Sequence, residues 1–192
     1  RDVRAYRDHQ LSDDLEQLLH EKSVTSQAWV RLFDETFAIM KIDYRKKQVT
    51  CTEILDLMSS KDASERKDAA IAFGKALKDH ANLFALITNI LAKDKSIEDK
   101  WRNFLRPLSS RNLNNLIDDE VVDALIATVK ENYTNLSHRY YQIKAEWMGK
   151  KQLDYWDRNA PLPEDNTPPI PWGDAVELVL DAYGNFSPRL RK

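Results

Sequence analysis

The chain has 192 residues, 42% of them hydrophobic, enough to bury a core of domain size. Its 29 Lys and Arg oppose 31 Asp and Glu for a formal charge of -2, so no basic excess exists to neutralise a phosphate backbone, and no nucleic-acid partner is expected. No stretch approaches the roughly 20 apolar residues that cross a bilayer, and Cys51 is the only cysteine; no membrane partner and no intrachain disulfide are expected, and the reading is cytoplasmic.

The pattern along the chain is helix after helix, with only four glycines to interrupt it, and no fixed-period repeat. The fold class expected is all-α, a bundle or array of helices with at most one small β-hairpin. Ser12 is positioned to cap a short helix through His20, and Thr25 or Ser26 to cap a second carrying Trp29, Leu32, Phe33 and Thr36. Residues 40–50 form the one strand-like interval, with Ile42, Tyr44 and Val49 around the charged turn Arg45-Lys46-Lys47. Thr50 with Glu53 makes a capping box, and Asp62 with Glu65 marks the next helix, whose buried side should carry Ala70, Phe73 and Leu77. Leu83, Ile87, Ile90, Ile97, Trp101 and Phe104 continue one stripe until Pro107, which a single long helix or two abutting ones would satisfy; Ser96 with Asp99, a further capping box, slightly favours a break.

Asp118 or Asp119 then opens a helix with Val122, Leu125 and Val129, and after a short polar link Leu136, Tyr140, Ile143 and Trp147 recur on the apolar face of another, which Gly149 stops. Pro161, Pro163, Pro168, Pro169 and Pro171 force an extended crossing segment, in which Leu162, Ile170 and Trp172 read as anchors. Trp172 and Gly173 open a last helix with Val176, Leu180 and Tyr183 on one side. The domain reading is a helical body over 1–153, a proline-rich crossing segment over 154–172 and a final helix start over 173–192.

Several stretches in order carry a family likeness: Arg4-Ala5-Tyr6-Arg7, Glu21-Lys22-Ser23-Val24-Thr25 with Trp29-Val30-Arg31-Leu32-Phe33-Asp34-Glu35, Ile87-Thr88-Asn89-Ile90-Leu91-Ala92-Lys93-Asp94-Lys95, Glu120-Val121-Val122-Asp123-Ala124-Leu125, the run from Ser137 to Pro163, and Phe186-Ser187-Pro188. In these the chain resembles the oligoendopeptidase F family of thimet-oligopeptidase-like zinc peptidases. The resemblance implies a parent that hydrolyses short peptides with zinc held by H-E-x-x-H, where one helical turn puts two imidazoles on the same side and the glutamate activates the metal-bound water. That motif is not in the chain. His20 is followed by Glu21, but Val24 stands where the second histidine should be, and a valine cannot bind zinc. The family's motif lies downstream of the segment matching Phe186-Ser187-Pro188, so the resemblance implies a piece upstream of the chemistry, and the missing initiator methionine and abrupt Arg189-Leu190-Arg191-Lys192 end fit a trimmed fragment.

On that reading no catalytic residue, no metal ligand and no bound cofactor are expected in this chain, zinc belonging to the parent. The expected role is a wall of the substrate channel, the partners being short peptides and the missing catalytic half. Arg139, Arg158 and Asn159 are the channel candidates, because a guanidinium suits a peptide carboxylate. The competing reading of the same residues is structural, with Asp157 and Arg158 forming a buried pair that pins the segment after the helix. His138 with Tyr140 and Tyr141, and the neighbours Asp8-His9 and His20-Glu21, read as packing or solvated side chains, since adjacent residues on a helix diverge. The alternative to an enzyme part is a non-enzymatic helical interaction module of the same descent.

Overall fold

The computed structural model describes residues 2–163 and 168–191. Among them the architecture is all-α with one hairpin: α1 Asp2–Ala5, α2 Asp13–Ile39, β1 Ile42–Tyr44, β2 Lys47–Val49, α3 Cys51–Leu57, α4 Ala63–Asp79, α5 Ala81–Trp101, α6 Ser109–Asn114, α7 Asp119–Glu131, α8 Arg139–Trp147 and α9 Trp172–Phe186. The chain divides into two compact units, Arg1–Pro161 and Leu162–Lys192.

In the first unit α2 and α5 run antiparallel. Glu16 near the start of α2 takes two bonds of 2.8 Å from the Arg102 guanidinium just past α5, and the Phe33 and Phe84 rings meet at 5.3 Å. Each is one unbroken helix where a cap signature within it favoured two. The expected pair of helices before residue 40 is a single one of 27 residues, because the Thr25 and Ser26 hydroxyls donate back to the Lys22 and Ser23 carbonyls within the helix and cap nothing. The break at Ser96 is absent for the same reason: Ser96 donates to Lys93 O at 2.8 Å, and α5 runs on to Trp101.

The core gathers where α2 ends. Met40, Ile42, Tyr44, Cys51, Ile54, Ala69 and Ala76 are buried together, with Phe73 and Leu77 packed against them, as the α4 stripe requires. Strands β1 and β2 pair antiparallel with Ile42 opposite Val49, through a two-residue turn in which Arg45 and Lys46 both have positive φ, 42° and 68°. Arg45 compensates by bonding Asp68 of α4 at 2.7 and 2.9 Å. Thr50 forms the expected capping box with Glu53, and Asp62 accepts from the Ser64 and Glu65 N–H groups. At the junction of α6 and α7, Asp119 accepts from Ser109 and Asn112 and so binds the two helices to each other, while Asp118 occupies the cap position.

The face of α8 is a correction. Leu136, Tyr140 and Trp147, expected as the packed stripe, are 66%, 46% and 55% exposed, while Lys144 and Ala145 point inward. What meets α8 is a charged cluster, described below, and that cluster selects the lysine face. A π-turn over Thr134–His138 leads into α8, with His138 N–H donating to Tyr133 O at 2.8 Å. The helix ends in a Schellman motif: Gly149, at φ 66°, donates to Glu146 O and Lys150 to Ala145 O, both at 2.9 Å.

The second unit holds α9, along which Val176 and Leu180 are half-buried. Arg191 folds back to pair with Glu177 and Asp181. Leu162, Ile170 and Trp172, read as anchors, are exposed. Residues 164–167 of the proline-rich segment lie outside the described residues.

Candidate functional site

The segment after Gly149 returns to α4 and forms a 3-10 turn over Tyr155–Asp157, and Asp154 and Asp157 cap each other across it. The turn places Asp157, fully buried, at the centre of a polar cluster. Its Oδ1 accepts from Arg66 Nη2 at 2.7 Å, and its Oδ2 accepts from Lys150 Nζ and from the Asp154 N–H at 3.2 Å. Arg66, on the inner face of α4, also donates through Nη1 to the Ser60 and Lys61 carbonyls at 2.8 and 3.0 Å. One guanidinium thus ties the α3–α4 connection to a turn 91 residues on. Lys144 reaches in from α8 and donates to the Arg158 carbonyl at 2.8 Å.

The charges respond as this geometry requires. Burial pushes the Asp157 carboxyl up, but the bonds from Arg66, Lys150 and the Asp154 N–H outweigh it and hold the group below its ordinary value. Burial, with the nearby Arg66 charge, pulls Lys144 down, while the bond to Asp157 raises Lys150. Three cations therefore face one buried carboxylate, relieved by Asp154, which pairs with Lys150 at 3.3 Å.

Beside this cluster a groove of about 890 Å³ opens between α8 and residues 151–158, lined among others by Met58, His138, Tyr141, Leu153, Tyr155 and Arg158. Of the three sequence candidates only Arg158 lines it. Arg139, the first residue of α8, and Asn159 are exposed elsewhere on the surface. The expected pair of Asp157 with Arg158 does not form: Asp157 is buried, but its partners are Arg66 and Lys150, and Arg158 is exposed. Sequence reasoning missed Arg66, although it shares a helical face with Ala70, Phe73 and Leu77, and a cation on an apolar stripe was the available signal. It missed Lys144 because the stripe at 136, 140, 143 and 147 drew attention to the wrong face.

A second groove, of about 510 Å³, lies among Tyr6, His9, Glu16, Lys95, Arg102 and Phe104. Several of its polar groups are engaged: His9 Nδ1 lies 2.7 Å from Arg102 O and its ring stacks on Phe104 at 3.9 Å, and Tyr6 donates to Asn114 at 2.8 Å. Zinc does not fit the described side chains, since no three His, Cys, Asp or Glu among them gather to hold an ion. His80 is spent on the Ala76 carbonyl and Cys51 Sγ on that of Phe37. No helix among the described residues is long and apolar enough to cross a membrane.

The family model described as Oligopeptidase F matches residues 1–42. Oligoendopeptidase-F from Enterococcus faecium superposes with a TM-score of 0.76 over 95% of this chain and 36% of its own, at 20% identity. PZ peptidase A, solved with an inhibitor, gives 0.77 over 99% of this chain and 34% of its own, also at 20% identity. The resemblance to oligoendopeptidase F holds. At such identity the structural likeness establishes the fold, and the chain spans about a third of the length of the solved structures it matches. A sequence search of curated proteins finds no match.

Proposed function

We propose that this chain is the non-catalytic helical part of a zinc-dependent oligopeptidase, a wall of the channel that admits short peptides, in a cytoplasmic parent whose metal site lies on other residues. The observation that carries the reading is the asymmetry of coverage: nearly all of this chain finds its counterpart in the Enterococcus faecium oligoendopeptidase-F and PZ peptidase A structures, but fills only about a third of each. A second observation supports it. Val121, Leu125 and Val129 on α7, then Leu136, Tyr140 and Trp147 through the π-turn and α8, expose one apolar side after another, a surface suited to cover by further protein. On this reading the described residues supply shape and fixed charge, and no step of hydrolysis is assigned to them.

The test is hydrolysis of a quenched fluorescent peptide by the parent protein. Activity abolished by a chelator and restored by zinc is the expected result. A parent lacking such activity would favour the scaffold reading, in which the same exposed faces serve a binding partner only.

A further inference from the structure

Arg158 is free in its chemistry and fixed in its position. Arg31, Arg45, Arg66, Arg102, Arg106 and Arg191 each engage a carboxylate. Arg158 is among the arginines whose guanidinium has no hydrogen-bond or ion-pair partner among the described residues, and of these it is the one that lines the groove. Its backbone is held from several directions. Lys144 Nζ grips its carbonyl, its N–H donates to Tyr155 O at 3.5 Å, and the preceding Asp157 is clamped by Arg66 and Lys150. Burying this many charges is expensive, and a chain that needed only cohesion would do as well with apolar side chains. What the cluster does provide is a rigid mount for the next residue, the kind of support a binding group needs in order to meet its ligand without reorganising.

The field at the mount is positive. Arg66, Lys144 and Lys150 face the single buried carboxylate of Asp157, and Arg158 and Lys151 add two cations at the groove itself. Asp154 also lines the groove and is the one acid there among the described residues, its carboxylate occupied by Lys150. Five cations against two acids leave a positive balance, which suits an anionic ligand group. Tyr141, Tyr155, Leu153, Met58 and Ala145 supply an aromatic and aliphatic part of the lining, His138, Gln142 and Gln152 a neutral polar part, and the volume of about 890 Å³ is that of a site for a small ligand or a few residues of peptide.

Building on the peptidase reading above, we propose that this groove receives the C-terminal residue of a peptide, with Arg158 bound to its free carboxylate in the bidentate geometry a guanidinium offers, and the apolar lining around its side chain. Arg158 is the ligand-binding residue; Lys144, Arg66 and Asp157 are positioning residues that act through it.

The experiment is a titration of this chain, followed by amide proton and nitrogen shifts, with an N-acetylated tetrapeptide ending in phenylalanine as the free acid and as the C-terminal amide. The acid is expected to bind about tenfold tighter than the amide, the worth of one charge-assisted bond, and to shift the amides of residues 138–142 and 151–158. Arg158→Gln should bring the two affinities together, and Arg158→Lys should restore part of the difference. Lys144→Met, which leaves the guanidinium in place, should reduce the preference for the acid while leaving affinity for the amide unchanged, an effect that a general loss of stability would not produce. Equal binding of acid and amide, a preference that survives Arg158→Gln, or no binding would overturn the proposal. A parent that cleaves peptides while this chain treats acid and amide alike would sink the groove assignment and leave the peptidase reading standing.

Discussion

Asp157 and Glu16 show how differently two carboxylates in one small protein are used. Asp157 is fully exchanged from water into a site with Arg66, itself only 2% exposed, so removing the carboxylate strands a buried guanidinium. Asp157→Asn is therefore expected to destabilise the fold by about 3 kcal/mol, read as a lower urea midpoint at unchanged slope. Glu16 sits nearer the surface, where its bonds from Arg102 and the Leu11 N–H lower its pKa from 4.5 to about 2. A folded value below the unfolded one contributes stability that is fully present above pH 4.5 and is lost as pH falls toward 2. Because the side chain is 38% exposed and screened, the amount is at most about 1 kcal/mol. Glu16→Gln should lower stability by that much above pH 4.5 and flatten the acid limb, the two profiles meeting only below about pH 2. The burial of Asp157 was legible in the aromatic and proline-rich residues around it. Its partner Arg66 was not, because nothing local in a sequence links residues 91 positions apart.

Helix ends were more legible than helix lengths or faces. Thr50 with Glu53, Asp62, and Gly149 act within one turn of themselves, so residue identity alone decides what they do. Gly149→Ala should cost about 1 kcal/mol in thermal or urea unfolding, entirely from the left-handed backbone, because a Cβ there meets nothing within 4 Å. An equal cost at Gly74, which lies inside α4 at ordinary φ, would contradict that account; there Ala should be neutral or stabilising. The hydroxyls of Thr25, Ser26 and Ser96 carried the same cap signature and misled, since back-bonding inside a helix uses the same residue types. The face of α8 was illegible for a tertiary reason. Its apolar stripe is real, but the neighbour that α8 meets in this unit is an ion cluster, and Lys144 follows the charge.

At the scale of the molecule, the helical class, the hairpin at residues 42–49 and the family likeness could all be read before any coordinates, because hydrophobic periodicity and motif order run through the whole chain. Tertiary partners and the groove could not. The central claim is that the chain brings walls and fixed charge to a peptidase, and that the zinc is held by residues elsewhere in the parent. Metal analysis of this chain and of its parent, each dialysed against the same buffered zinc, tests it most directly. One zinc per parent and none held by this chain is the expected result, whereas one tightly bound zinc on this chain alone would contradict it.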